Sequence, residues 1–193
     1  MKLHPALLGF AVLAGGCRAA VASHAGWSRL FSRQGSPAAS PLPVLSDRAL
    51  KPFLPATLLG EAGGPLEGSM MRMGPRALSE VTRVYGKTRE TEIKLADARF
   101  EPRATDAIRA MADGTGAEED AERLVLPGAI GYARFDEDDR VAEAKVVVGG
   151  RLIASATVRE AEDAQTAAAA LRALDTLALA RLAQQEGRET ASR

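Results

Sequence analysis

Apolar and polar residues alternate most cleanly in the second half of the chain. Residues 129–135 (AIGYARF), 141–148 (VAEAKVVV) and 151–158 (RLIASATV) are three strand-like runs. A charged turn, DEDDR at 136–140, joins the first two, and Gly149-Gly150 joins the last two, so the unit reads as a β-meander. Upstream, residues 77–85 (ALSEVTRVY) carry Leu78, Val81, Val84 and Tyr85, and Gly86-Lys87 follows as a turn. In residues 90–98, Ile93 and Leu95 alternate with Glu92 and Lys94, which completes an expected antiparallel hairpin.

Helical spacing appears in three places. Ser46 or Asp47 can cap a short helix carrying Leu50, Phe53, Leu54, Leu58 and Leu59, which Pro52 and Pro55 keep from running far. Pro102 opens a second stretch, with Ala104, Ala107, Ile108 and Met111 on one side and Gly114 as its stop. From Asp163 onward, Ala167, Ala170, Leu171, Leu174, Leu177, Ala178 and Leu182 follow a 3.6-residue period, which predicts one helix of about five turns. Residues 61–75 (EAGGPLEGSMMRMGP) are rich in Gly and Pro and read as a loop. The elements assemble into an α+β fold: an antiparallel sheet of about five strands, with a long C-terminal helix packed on one face. The domain is expected over residues 47–185, with a polar tail over 186–193.

The start of the chain has a different character. Met1, Lys2 and His4 form a basic head, residues 6–14 (ALLGFAVLA) an apolar run, and Gly15-Gly16-Cys17 follows. This is the tripartite order of an export signal, and its apolar run is about half the ~20 residues needed to span a bilayer. The arrangement over residues 1–17 resembles a bacterial lipobox, which implies that Cys17 is acylated and holds the protein on a membrane. Ala14 stands where a lipobox commonly has Leu, and Leu13 is one place further back. The alternative is cleavage after Ala20-Val21-Ala22, which would discard Cys17 and start the protein at Ser23. With lipidation, Arg18 after the cysteine implies the outer membrane in a two-membraned cell; without it, the protein would be periplasmic or secreted. Residues 18–46, with Pro37, Pro41 and Pro43 among Ser, Ala and Gly, have the composition of a tether. Trp27, Leu30 and Phe31 interrupt it at helix-like spacing, as a remnant of the signal, a weak dock onto the domain or an interfacial segment.

Tyr85-Gly86 closing a strand, Gly149-Gly150-Arg151 between two strands, and the ending from Leu174-Asp175 to Leu182 resemble small exported bacterial proteins with a PsbP/Mog1-type fold. The likeness covers residues 77–182 and implies a fold, with no catalytic residues to carry over.

Composition narrows the chemistry. Lys plus Arg and Asp plus Glu number 25 each, so no net charge favours nucleic acid or anionic lipid. Aromatics are 4% of the chain against 46% hydrophobic residues, which means a core of Ala, Leu and Val and few platforms for bases. His4 and His24 lie before the domain and Cys17 is the one cysteine, so a Ser-His-Asp site and a disulfide within the chain are both excluded. Asp136, Glu137, Asp138 and Asp139 form the densest acidic cluster, but a turn between strands points to solvated charge, and the spacing lacks the features of an EF-hand. Glu118, Glu119, Asp120 and Glu122 receive the same reading. Gly149-Gly150 joins two strands instead of opening a helix, so it is no phosphate loop. Met70, Met71 and Met73 resemble a copper-binding run without His or Cys, and flexible packing is the simpler reading. We therefore expect no catalytic residue, cofactor or metal, and lipidation at Cys17. The function expected is a non-enzymatic structural or partner-binding role in the cell envelope. The alternative is a carrier of a small apolar ligand or lipid between sheet and helix.

Overall fold

The computed structural model describes residues 44–73, 76–87, 90–99, 101–116 and 120–191. The expected signal segment, Cys17 and residues 18–43 of the expected tether lie outside the described residues, as do Glu118 and Glu119.

The chain enters as helix α1 (Asp47–Leu50), whose N-cap Ser46 accepts a hydrogen bond from the Ala49 amide. A 3-10 turn, Lys51–Phe53, follows, with a small hairpin of β1 (Thr57–Leu58) and β2 (Glu61–Ala62). Next come β3 (Glu67–Met73), β4 (Arg76–Tyr85) and β5 (Thr91–Asp97). Helix α2 (Pro102–Ala112) crosses over, and β6 (Glu122–Leu126), β7 (Ala129–Asp136), β8 (Val141–Val148) and β9 (Leu152–Arg159) return. Helices α3 (Ala164–Arg172) and α4 (Thr176–Ala191) end the chain.

The main sheet has seven strands in the order β3-β4-β5-β9-β8-β7-β6, all antiparallel, so it is two strands wider than the five expected. The chain lays one edge first, β3 to β5, then starts again at the far edge and works inward. Strand β9 closes the sheet between β5 and β8. Residues 152–156 of β9 are buried on both faces, which means both faces are covered there, whereas a strand with one solvated face would alternate.

The two extra strands come from segments whose composition hides them. Residues 67–73 are Gly- and Met-rich and read as loop, but pairing with β4 from Glu67↔Thr82 to Met73↔Arg76 holds them extended. Strand β6 is five residues long, with Arg123 and Val125 on one face and the buried Leu124 and Leu126 on the other.

Period-two alternation sorts the sheet into two faces. One carries Val81 and Tyr85, Ile93 and Leu95, Ala154 and Ala156, Ala144 and Val146, and Leu124 and Leu126, and forms the main core with residues of α1, α3 and α4. The other carries Ala96, Ile153, Val147 and Tyr132, which are buried outside that cluster, and α2 lies against β7, β8 and β6 with Ile108 and Ala112 buried.

The single C-terminal helix expected from the periodicity is two. Helix α3 stops at Arg172, and Asp175 restarts the chain by accepting a hydrogen bond from the Ala178 amide at 2.9 Å. Thr176 Oγ1 also donates to the Pro127 carbonyl at 2.9 Å, which ties the new helix to the β6–β7 turn. The helix runs on to Ala191, through the residues expected to form a polar tail.

Candidate functional site

Beyond the part that α2 packs against, the second face carries a charged quilt, in which Tyr132, Lys94 and Ser155 are buried. Register places Tyr132, Lys145, Ser155, Lys94 and Thr82 in one row across β7, β8, β9, β5 and β4. The adjacent row is Arg134, Glu143, Thr157, Glu92 and Val84. Each strand alternates because its other face is core, and so Glu92-Ile93-Lys94 and Glu143-Ala144-Lys145 place two carboxylates and two ammoniums on the same side.

Glu143 is the hub. Arg134 donates to Glu143 Oε2 through Nε at 3.1 Å and Nη2 at 2.9 Å, and Lys145 Nζ donates to the same oxygen at 3.2 Å. Burial pushes the Glu143 carboxyl up, but the charges of Lys145 and Arg134 and their hydrogen bonds outweigh it and hold the group below its ordinary value. Lys94 is placed differently. Its residue is 8% exposed, it makes no hydrogen bond among the described residues, and its ion pair with Glu92 Oε1 is long, at 4.0 Å. Ser155 beside it is also 8% exposed and its hydroxyl makes no hydrogen bond among the described residues.

A second polar constellation lies on the core side. Asp97 is fully buried and takes Arg151 Nε at 3.0 and 3.1 Å, together with Arg151 Nη2. Its carboxylate also accepts the Leu45 amide at 2.8 Å and the Arg99 amide at 3.1 Å. Arg151 reaches it from the β8–β9 turn, where Gly149 at φ 59° and Gly150 at φ 76° supply a backbone conformation that other residues adopt at a cost. The pair therefore fixes the point at which Leu45, just before α1, meets the sheet. Burial and the neighbouring Arg151 hold the Arg99 guanidinium below its usual range, against the attraction of Asp97.

The remaining residues singled out from the sequence do not converge. Asp136 Oδ1 accepts the amides of Asp138 and Asp139 at 3.1 Å each, so this carboxylate shapes its own exposed turn. Asp120 and Glu122 lie by the other edge, and Glu122 Oε2 accepts from Gln165 at 2.6 Å. Met70 and Met71 are exposed on the edge strand β3, where a loop was expected, and they point to opposite faces. Among the described residues, no group of three or more His, Cys, Asp or Glu residues is placed to hold a metal ion, and no helix is long and apolar enough to cross a membrane.

The sequence reading missed both constellations. Glu-x-Lys in two strand-like runs was a usable signal for the quilt, but only register shows that the two runs flank one strand, β9. No signal linked Asp97 to Arg151, 54 residues later. The chain matches no family model, no curated protein and no solved structure.

Proposed function

We propose that this chain is a lipid-tethered protein of a bacterial cell envelope, held on a membrane through Cys17, with a non-enzymatic role in binding a partner. The observation that carries the reading is the order at the start of the sequence: basic head, apolar run over residues 6–14, two glycines, then the one cysteine. Two features of the fold support it. The Leu45 amide is held by a buried carboxylate, so a tether attached there pulls on the sheet and not on a loose end. The second sheet face groups cations and carboxylates, with Arg134, Glu143, Lys145 and Glu92 partly exposed, which a polar partner could contact.

The carrier reading is the weaker one. Small residues between sheet and helix here permit close approach: a Cβ added at Gly149 would lie 2.8 Å from Ala183 Cβ, and one at Gly128 would lie 2.7 Å from Ala180 Cβ. At these two turns α4 lies directly against the sheet.

Fractionation of the native host tests the proposal. The wild-type chain is expected in the membrane fraction, resistant to high salt and released by detergent, and Cys17→Ala in the soluble fraction. Equal solubility of the two would remove the tether.

A further inference from the structure

We infer that two copies of this chain pair through strand β3, edge to edge and antiparallel, in the register that sets Met70 opposite Met70 of the second copy. This goes beyond the tethering proposal and rests on the folded sheet alone, whatever becomes of Cys17.

The argument begins with exposure. No described strand lies beyond β3, and each residue from Glu67 to Arg72 is exposed. Successive side chains lie on opposite faces, so this stretch is open on both, and its outward amides and carbonyls are a template for another strand. Apolar side chains accompany them: Met70 is 43% exposed on the core side and Met71 55% on the other. The far edge of the sheet is blunted instead. Strand β6 has five residues, Glu122 accepts from Gln165, and Arg123 lies 3.6 Å from Asp113. Strand β3 has seven residues, no proline, and an unbroken register with β4 from Glu67 to Met73.

Self-complementarity selects the occupant. Two identical antiparallel strands related by a twofold axis must place that axis on a residue, because an axis between residues would set opposite faces side by side. With Met70 on the axis, Ser69 faces Met71 and Gly68 faces Arg72 of the second copy. The Gly68 position is shaped for that arginine. A Cβ on Gly68 would lie 2.5 Å from Asp47 Oδ2, so the carboxylate of α1 sits directly above this glycine. Arg72 is exposed on the same face and makes no hydrogen bond or ion pair among the described residues. Directly opposite residues of an antiparallel pair have Cα atoms about 5 Å apart, which brings the Arg72 guanidinium within reach of Asp47 of the second copy. Lys51 engages Asp47 Oδ2 at 2.8 Å, which leaves Oδ1 to accept from the arginine. The twofold makes two such ion pairs, one on each side of the methionine contact. An axis on Ser69 or on Met71 would set Arg72 opposite Leu66 or Met70 and lose both.

The edge is about 24 Å long at about 3.4 Å per residue, so the interface falls at the small end of specific contacts and association is reversible.

The test uses the full chain carrying Cys17→Ala, in sedimentation velocity over a concentration series and in disulfide crosslinking under mild oxidation. A monomer–dimer equilibrium is expected. Met70→Cys is expected to crosslink at least tenfold faster than Ser69→Cys, Met71→Cys or Leu59→Cys, the last an exposed control at the β1–β2 turn. Only at position 70 do identical residues of two copies come within the roughly 4.4–6.8 Å between Cα atoms that a disulfide needs. A mixture of Ser69→Cys and Met71→Cys chains is expected to crosslink faster than either alone. Arg72→Glu, which turns each attraction to Asp47 into repulsion, is expected to weaken the dimer at least tenfold. A chain that stays monomeric at every concentration would overturn the inference and leave the edge to a strand of another protein. Equal crosslinking at positions 69, 70 and 71, or a dimer that Arg72→Glu leaves unchanged, would overturn it as well.

Discussion

Asp97 and Ser79 face each other across β4 and β5, both fully buried, and their energetics are opposite. The carboxylate is satisfied by Arg151 and by two backbone amides, whereas Ser79 Oγ has no hydrogen-bond partner among the described residues. Removing one half of a buried ion pair leaves the other charge uncompensated, so Asp97→Ala should cost about 3–5 kcal/mol in urea unfolding. Ser79→Ala deletes an unsatisfied hydroxyl and should be neutral or stabilise by up to about 1 kcal/mol. A large loss from Ser79→Ala would mean that the hydroxyl has a partner after all. At the quilt, the Glu143 carboxyl is held below its ordinary value, so its contribution is present at neutral pH, above the unfolded-state value. That contribution is lost as pH falls through the lower folded-state value. Glu143→Gln should therefore lower stability by about 1 kcal/mol at pH 7, and the difference should vanish in melting curves taken toward pH 2.

The elements differ in how openly the sequence announces them. Strands β7, β8 and β9 are legible because period-two alternation coincides with turn residues at 136–140 and 149–150. Strand β3 is not, since Gly68 stands where α1 packs close: a Cβ on it would lie 2.5 Å from Asp47 Oδ2 and 3.1 Å from Asp47 Cβ. The break between α3 and α4 is concealed because Leu174 and Leu177 keep the helical period while Asp175 interrupts the backbone. Asp175→Ala should lower stability by about 1 kcal/mol through loss of its cap, measurable as a shift in the urea midpoint. Gly131 is a stronger case within β7. A Cβ there would lie 2.6 Å from Val146 Cα and collide with the Lys145 backbone, where no side chain can yield. Gly131→Ala should cost about 3 kcal/mol or prevent folding, and native-like stability of that variant would mean that β7 and β8 are further apart than described.

At the scale of the whole molecule, the seven-stranded sheet separates two tasks. Its core face is closed by α1, α3 and α4 around small residues, and the other face carries α2 against β6, β7 and β8 and a row of charged and hydroxyl residues beside it. The α+β class and the antiparallel sheet were legible from alternation alone, but neither the sheet's width nor its strand order was. Those depend on β9 pairing with β5 across more than fifty residues of intervening chain. Leu45 is bonded to the buried Asp97, so on the proposed reading attachment to a membrane through the preceding segment would hold the sheet at a defined point. Whether it is so attached is decided by the intact mass of the protein purified from its native membranes, with Cys17→Ala as control. The account predicts a mature chain that begins at an acylated Cys17; an unmodified chain beginning at Ser23 would contradict it.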